Sequence, residues 1–289
     1  MQGHIEKARV LMEALPYIKK FWGSTVVVKY GGHAMDDPEL KKQVILDFIL
    51  MKLVGIKLVI LHGGGPHISS LMKRLGKEAL FIEGHRVTDS ETMEITEMVL
   101  SGLINKEIVA LINSNGGKAV GISGKDGKLI VADKKQDKSG KGLDFGQVGV
   151  IRKINPEILL TLTQESFIPV ISPVAIGEDG ATYNVNADTG AGFIASTIKA
   201  RRLIYMTDIR GIYEDINDEA TFKETLDEKQ ISDLKSRGAI EGGMIPKIDS
   251  ALYALKEGVE KVHIIDGRVE HSLLLELFTE GGIGTQIVL

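Results

Sequence analysis

Short runs of apolar and β-branched residues alternate along this chain with longer segments of helical spacing. The apolar runs cover residues 25–29, 57–62, 167–172, 203–207 and 261–266. Most are apolar on successive residues, as strands buried on both faces are. The helical segments cover residues 39–53, 91–113, 155–165, 187–199 and 245–256. This βαβα order predicts an α/β fold in which an open, mainly parallel central sheet is sandwiched by helices.

Two regions depart from the alternation. Residues 118–154 are rich in glycine and lysine and predict hairpins and a flexible loop, and the GEDG sequence within 176–183 predicts another hairpin turn. We expect the function of the chain to change near Pro173, so that the continuous sheet has two lobes. We expect residues 23–173 to form one lobe and residues 174–289 the other.

Composition narrows the class of protein. With 289 residues and 43% apolar content the chain can bury a full core. The net charge of -4, with lysine and arginine spread along the sequence, predicts a small-molecule partner and no nucleic acid. The absence of cysteine excludes disulfides and thiolate metal sites. Because the longest apolar runs are far short of a membrane span, we expect a cytoplasmic protein with no membrane partner.

Residues 1–22 form a predicted helix ahead of the first strand. Pro16 lies inside this helix and should kink it, because proline removes a backbone donor and clashes with the preceding turn. The helix could pack on its own domain or reach another subunit. Its apolar stripe, at three- and four-residue spacing, consists of Ile5, Ala8, Leu11, Met12, Leu15 and Ile18.

Glycine-rich sequences follow several predicted strands. The first strand ends in Lys29-Tyr-Gly-Gly, the second in His62-Gly-Gly-Gly-Pro, and the fourth in the sequence TDIRGIY. Ligands of open parallel sheets bind beyond the carboxyl ends of the strands. Glycine lets a backbone approach a ligand closely, and a following helix turns its N-terminus towards an anion. The sequence therefore predicts an anion-binding edge.

The usual signatures of other chemistries are missing from the sequence. There is no P-loop, no third glycine of a dinucleotide fingerprint after Gly65, no zinc-type pair of histidines and no G-x-S-x-G elbow. Phosphoryl transfer needs mainly positioned charge and backbone donors. Two further features fit that need: Lys247 in the first turn of a helix after a glycine pair, and Asp188 near a helix start that Asn186 could cap.

Taken in order, these sequences resemble the amino acid kinase family over essentially the whole chain. The matching residues are Lys29-x-Gly-Gly, His62-Gly-Gly-Gly-Pro, Gly84-His-Arg-Val-Thr-Asp89, Asn184-Val-Asn-Ala-Asp188, TDIRGIY from Thr207 to Tyr213, and GGMIPK from Gly242 to Lys247. Within the family, the set most resembles enzymes that transfer a phosphoryl group from ATP, with Mg²⁺, to the side-chain carboxylate of N-acetyl-L-glutamate. That reaction is the second step of arginine biosynthesis. An ionised carboxylate needs no general base.

The resemblance also implies that residues 23–173 form an amino-acid-substrate lobe and residues 174–289 a nucleotide-binding lobe, and it implies roles for individual residues. It assigns catalysis to Lys29 and Lys247, which would offset charge on the moving phosphoryl group, and to Asp188, which would hold both lysines. Mg²⁺ would be held by phosphates and water, so no protein metal site is predicted. The remaining implied positions are Gly31, Gly32 and Gly64 for phosphoryl oxygens; Gly64, Gly65, Arg86 and Asn184 for the acid substrate; and Asp208, Gly211, Tyr213, Glu241 and Gly243 for the nucleotide.

Both ends of the chain resemble the family members that arginine inhibits. The N-terminal helix and the pattern His271-x4-Glu276-Leu-Phe-x3-Gly282 imply feedback inhibition and a homo-hexamer, a trimer of dimers joined through these helices. In some organisms such enzymes also bind a PII signalling protein. The implied arginine-binding residues are Tyr17, His271, Glu276 and Gly282.

Two other classes stay open from the residues alone. A non-catalytic nucleotide or amino-acid sensor could use the same glycine-lined edge, although it would not need both lysines and Asp188. An oxidoreductase on a dinucleotide fold fits less well, because the third glycine and its acidic ribose partner are missing.

Overall fold

A computed structural model describes residues 2–137 and 139–289. The strands are β1 (Thr25–Tyr30), β2 (Lys57–His62), β3 (Phe81–Ile82), β4 (His85–Arg86), β5 (Ala119–Ser123), β6 (Ile130–Lys134), β7 (Gly149–Ile154), β8 (Ile168–Ser172), β9 (Val174–Ile176), β10 (Thr182–Asn184), β11 (Arg202–Thr207), β12 (Ile212–Tyr213), β13 (Phe222–Lys223), β14 (Thr225–Leu226), β15 (Lys261–Asp266) and β16 (Thr285–Ile287). The α-helices are α1 (Gln2–Phe21), α2 (Pro38–Leu53), α3 (Gly65–Arg74), α4 (Ser90–Glu97), α5 (Asn105–Ser114), α6 (Glu157–Gln164), α7 (Ala187–Thr197), α8 (Glu228–Ser236), α9 (Met244–Lys256) and α10 (Ser272–Phe278).

The central sheet has the strand order β14-β16-β15-β11-β1-β2-β8-β5. Its strands pair in parallel except that β16 runs antiparallel to β15. The predicted mainly parallel α/β sheet is therefore confirmed. At its centre Lys29 pairs with Leu61 on one side and Tyr205 on the other. This register brings the carboxyl ends of β1, β2 and β11 to one edge.

Alternate residues of β1 face opposite layers of the core. Val27 packs in the cluster that contains residues of α7 and α9, whereas Val26 and Val28 pack in the cluster that contains residues of α2 and α5. All three valines are fully buried. A strand covered on both faces explains why the run is apolar on successive residues.

A second sheet has the order β10-β9-β6-β7. Its antiparallel pair β6–β7 confirms a hairpin within 118–154, and the pair β9–β10 confirms the hairpin turn predicted within 176–183. The expectation for 118–154 missed β5, which pairs in parallel with β8 at the edge of the central sheet. The sequence AVGIS of β5 is short and contains a glycine, so local pattern did not separate it from the hairpins. The predicted lobe boundary at Pro173 falls between β8 and β9.

The helix predicted over 91–113 is divided into three parts. A π-helix at Met98–Ile104 separates α4 from α5. Such wider turns occur frequently at functional sites, and the sequence predicted one uninterrupted helix because its apolar pattern does not distinguish i→i+4 from i→i+5 hydrogen bonding. Leu100 and Ile104, on this π-helix, both approach Gly64.

Helix α1 extends through Pro16 to Phe21, which is buried. The middle of this helix presents Leu11 and Met12 to solvent, with 72% and 65% of their surface exposed. The apolar stripe of α1 therefore does not pack fully on its own chain, contrary to the alternative that the helix packs on its own domain. Met1 and the side chain of Ala8 lie outside what the structure describes. No helix in 2–137 or 139–289 has the length and apolar character needed to cross a membrane.

Candidate active site

Asp188 lies between two lysines at the carboxyl edge of the sheet. Its Oδ1 is 3.0 Å from Nζ of Lys29, and its Oδ2 accepts a hydrogen bond of 2.8 Å from Nζ of Lys247. Lys29 comes from β1, Asp188 from the first turn of α7 and Lys247 from the first turn of α9. Asn186 accepts from the N–H of Thr189 and so caps α7, as predicted. The structure brings the three predicted catalytic residues together.

The charges in this cluster stabilise one another. Burial opposes the charge of Asp188, but the two ammonium groups outweigh burial and lower the pKa of its carboxyl to about 2. Burial also lowers the pKa of Lys247, and the charge of Asp188 opposes that change. At neutral pH Asp188 is therefore a carboxylate, and it offsets the repulsion between two closely spaced cations.

A cavity of about 280 Å³ opens beside this cluster. Its lining combines charged groups, glycine backbone and apolar side chains. It contains every residue predicted for the acid substrate and for phosphoryl oxygens, together with Lys29 and Asp188. The lining residues are Lys29, Gly31, Gly32, Gly63, Gly64, Gly65, Pro66, Ile68, Phe81, Gly84, His85, Arg86, Leu100, Val148, Pro173, Asn184, Val185, Asn186, Ala187 and Asp188.

Arg86 supplies the guanidinium of this cavity. Its Nη2 donates to the carbonyl of Gly65 at 2.9 Å and to Oγ of Ser69 at 2.8 Å, and its guanidinium lies 4.8 Å from the ring centre of Phe81. No carboxylate within 2–137 or 139–289 pairs with it. The group is thus held in place while its positive charge stays available to an anion.

The glycines after β1 allow close approach to charged groups. A methyl group on Gly31 would lie 2.8 Å from Nζ of Lys29. Gly32 has a φ of 78° and faces the carboxylate of Asp208, which accepts a 2.6 Å hydrogen bond from the N–H of His33. Only glycine fits that conformation and that space without strain.

A second cavity, of about 400 Å³, lies beside the start of α9. It is lined by Gly211, Tyr213 and Glu241 from the predicted nucleotide set, whereas Asp208 and Gly243 are not among its lining residues. Met244 lines this cavity, and Lys247, one helical turn further along α9, reaches Asp188. The first turn of α9 therefore connects the second cavity with the lysine cluster.

A third cavity, of about 350 Å³, lies between α1 and the C-terminal loop. Tyr17, Glu276 and Gly282, three of the four residues predicted to bind arginine, line it. His271 does not: its Nδ1 lies 2.6 Å from Oδ1 of the buried Asp47 on α2. The backbone of His271 is left-handed just before α10, which turns its side chain towards α2.

The sequence reasoning missed several polar residues of the third cavity. Arg202, Lys261 and His263 line it, and Nδ1 of His263 lies 2.5 Å from Oε1 of Glu276. The second carboxylate oxygen of Glu276 accepts from the N–H groups of Ile283 and Gly284. The available signal was a histidine among the buried apolar residues Val262, Ile264 and Ile265 of β15.

Known proteins share both the sequence and the fold of this chain. A sequence model of the amino acid kinase family matches residues 24–266. A Desulforamulus reducens protein named acetylglutamate kinase is 54% identical over 288 residues, covering 100% of this chain and 99% of that protein. A Moorella thermoacetica protein of the same name is 52% identical over 289 residues, covering 98% of each.

Solved structures extend the comparison. An N-acetylglutamate synthase from Neisseria gonorrhoeae, complexed with coenzyme A and N-acetyl-glutamate, has a TM-score of 0.84 and 26% identity over 98% of this chain, which spans 63% of the synthase chain. A carbamate kinase from Giardia lamblia bound to AMP-PNP has a TM-score of 0.66 at 14% identity, covering 92% of this chain and 98% of that one, and supports the fold alone. On sequence and on fold, this chain belongs to the amino acid kinase family and groups with its acetylglutamate kinases.

Proposed function

We propose that this enzyme transfers the γ-phosphoryl group of ATP to the side-chain carboxylate of N-acetyl-L-glutamate, giving N-acetyl-L-glutamyl 5-phosphate and ADP. The names of the full-length relatives support this reaction. The observation that carries it is Asp188, which contacts Lys29 and Lys247 through its two oxygens beside a cavity lined by Arg86. A binding protein without chemistry has no need of such a cluster.

The cluster supplies what phosphoryl transfer to a carboxylate requires. The acceptor is ionised at neutral pH and attacks the γ-phosphorus without losing a proton. The bond to the β,γ-bridging oxygen breaks, and ADP leaves with the electron pair. Lys29 and Lys247 offset the negative charge that spreads over the moving group. Asp188 holds the two ammonium groups close together, because its negative charge offsets the repulsion between their positive charges.

The cavity also favours an acetylated amino acid. Arg86 can pair with the α-carboxylate through two parallel hydrogen bonds. A free α-ammonium group would add positive charge near Arg86 and Lys29, whereas an acetamide is neutral. Leu100 and Val148 contribute apolar surface to the same cavity, which suits the acetyl methyl group.

For the nucleotide, we propose the second cavity, lined by Tyr213 and Glu241, with its phosphates extending along the first turn of α9 towards Lys247. Both oxygens of Asp188 already face ammonium groups, whereas Asp208 is exposed at the same edge. Asp208 is therefore the carboxylate that could hold Mg²⁺ together with phosphates and water, the ligands that this ion prefers. The ion would arrive with ATP and neutralise charge on its phosphates.

The experiment is to measure ADP release with ATP and Mg²⁺, comparing N-acetyl-L-glutamate with glutamate, aspartate and carbamate. Turnover with N-acetyl-L-glutamate alone is expected. Turnover with another acid alone would reassign the substrate. ATP binding without turnover on any of the four would favour the sensor.

We also propose that arginine inhibits the enzyme by binding in the third cavity. The cavity offers cations for an α-carboxylate in Lys261 and Arg202, and carboxylates for a guanidinium in Glu276 and Glu280. Repeating the ADP-release measurement with arginine present tests this, and unchanged turnover would contradict it.

The proposed assembly is a hexamer built from dimers through α1. The exposed apolar side chains of Val10, Leu11 and Met12 support this, because such a surface is usually covered. Deleting residues 1–20 should leave active dimers that arginine inhibits much less. Hexamers of the shortened chain in light scattering would contradict the proposal.

A further inference from the structure

His62 is a fully buried histidine at the carboxyl end of β2, immediately before the glycine loop of the substrate cavity. Its Nδ1 lies 2.8 Å from the carbonyl oxygen of Gly63. A carbonyl oxygen can only accept, so Nδ1 must carry the proton. The structure therefore fixes one end of the imidazole as a donor to the glycine loop.

Asn105 fixes the other end of the ring. Its Nδ2 donates to the carbonyl of Val170 at 2.9 Å, its second N–H lies between the carbonyl of Ile122 and His62, and its Oδ1 accepts from Nζ of Lys106 at 3.1 Å. This orientation turns the amide Nδ2 towards Nε2 of His62, 3.3 Å away. With the proton on Nδ1 and an amide N–H facing Nε2, Nε2 is unprotonated, and His62 is the neutral Nδ1–H tautomer. Burial lowers the pKa of His62 to about 4, so the ring stays neutral near neutral pH.

The direction of the Gly64 N–H depends on this hydrogen bond. Gly63 C=O and Gly64 N–H belong to one trans peptide and point in opposite directions. The carbonyl of Gly64 accepts from the N–H of Ile68, and that of Gly65 accepts from Arg86. All three glycine carbonyls are thus engaged. The N–H groups of Gly64 and Gly65 donate to no atom in the described part of the chain, and both residues line the cavity.

We propose that His62 is a positioning residue for phosphoryl transfer: its Nδ1–H holds the Gly63 carbonyl so that the Gly64 N–H faces an oxygen of the moving phosphoryl group. This inference rests on the proposed function. Leu100 on the π-helix supports the same geometry, because a methyl group on Gly64 would lie 2.7 Å from its Cδ2, so the loop has no room to shift that way.

The tautomer is tested first, on the full-length native enzyme. In ¹⁵N-histidine-labelled protein, the signals missing from the His62→Asn variant belong to His62. They should show a protonated Nδ1 and an unprotonated Nε2 that do not change between about pH 5.5 and 8.5. An Nε2–H tautomer, or titration within this range, overturns the proposal. This measurement does not depend on which substrate the enzyme uses.

Matched variants test the effect on catalysis. Asparagine can place an amide N–H near the position of Nδ1, whereas glutamine places one near Nε2. In His62→Gln, kcat should fall about 100-fold, as when one oriented donor is lost, while KM for ATP changes little. His62→Asn should recover most of that loss at similar thermal stability. Native kcat in His62→Gln, or equal losses in two equally stable variants, would overturn the proposal.

The two proposals fail in distinguishable ways. If the native enzyme does not phosphorylate N-acetyl-L-glutamate, the proposed function is wrong, and the variants are compared on the acid that it does phosphorylate. If the native enzyme is active but the variants do not separate, only the role of His62 is wrong.

Discussion

Nζ of Lys247 lies 2.8 Å from Oδ2 of Asp188, although the two residues are 59 positions apart in the chain. Lys29 approaches the other oxygen of the same carboxylate from the central strand β1. One carboxylate between two ammonium groups leaves a net positive charge beside the cavity.

Lys29→Ala and Lys247→Ala should each lower kcat by about 100-fold or more, the effect of losing one preorganised charge donor. Thermal denaturation should show that both variants remain folded. The control is Lys229→Ala, which changes an exposed lysine of α8 and should leave kcat unchanged. Near-native kcat in either cluster variant would exclude the role assigned to that lysine.

Asp188 should make stability depend on pH. Its pKa of about 2 in the folded chain lies below the value of about 3.9 in an unfolded chain. Its stabilising contribution is therefore complete above about pH 4 and is lost as pH falls towards about 2. In urea unfolding, the difference in unfolding free energy between wild type and Asp188→Asn should narrow below about pH 4.

The control for this dependence is Glu178→Gln, which changes an exposed carboxylate in the β9–β10 turn. The unfolding free energy of this variant should fall at acid pH as that of the wild type does. A difference between wild type and Asp188→Asn that stays constant down to about pH 3 would show that the carboxylate is not stabilised in the folded state.

Arg86→Lys should raise KM for N-acetyl-L-glutamate by about tenfold to 100-fold with little change in KM for ATP, because lysine keeps the charge but loses the paired donors. Ser69→Ala removes one hydrogen bond to the guanidinium and leaves its charge, so it should have a smaller effect in the same direction. Equal increases in KM for both substrates would argue against binding of the acid by Arg86.

Gly64→Ala and Gly65→Ala should behave differently. The new methyl group at residue 64 would overlap Leu100, which should lower the free energy of unfolding by about 1–3 kcal/mol and reduce kcat. Apart from the neighbouring residues and the backbone of α3, no atom of residues 2–137 or 139–289 lies within 4 Å of the methyl position at residue 65. Gly65→Ala should therefore keep its stability and raise KM, because the methyl group occupies the substrate cavity. Thermal denaturation and steady-state kinetics distinguish the two effects.

Glu276→Gln should reduce arginine inhibition while leaving kcat without arginine unchanged, since Glu276 lines the third cavity. His271→Asn should retain inhibition, because His271 contacts Asp47 outside that cavity. Asparagine tolerates the left-handed backbone at this position, so the variant should fold. ADP release is measured at increasing arginine concentration for both variants. Loss of inhibition in His271→Asn alone would show that His271, and not Glu276, binds arginine.

The sequence alone determined the fold class. Continuous apolar runs such as 57–62 are local signals of strands buried on both faces, and the intervening helical spacing required a layered α/β arrangement. The same local information indicated which edge of the sheet carries Lys29 and the glycine loops, because the carboxyl ends of parallel strands meet at one edge. It failed for β5, whose place in the sheet depends on pairing with β8.

Tertiary structure decided which side chains meet. His271 and Glu276 are close in sequence, but their side chains contact different elements. His271, which has a left-handed backbone, contacts Asp47 on α2, whereas Glu276 contacts His263 on β15. Neither the third cavity nor the contact of His62 with Asn105 has a local pattern, since their residues come from distant elements. Distances of a few ångströms between such residues are set by the close packing of the whole core around them. Sequence therefore determined the elements and the edge, whereas packing determined the geometry of the site.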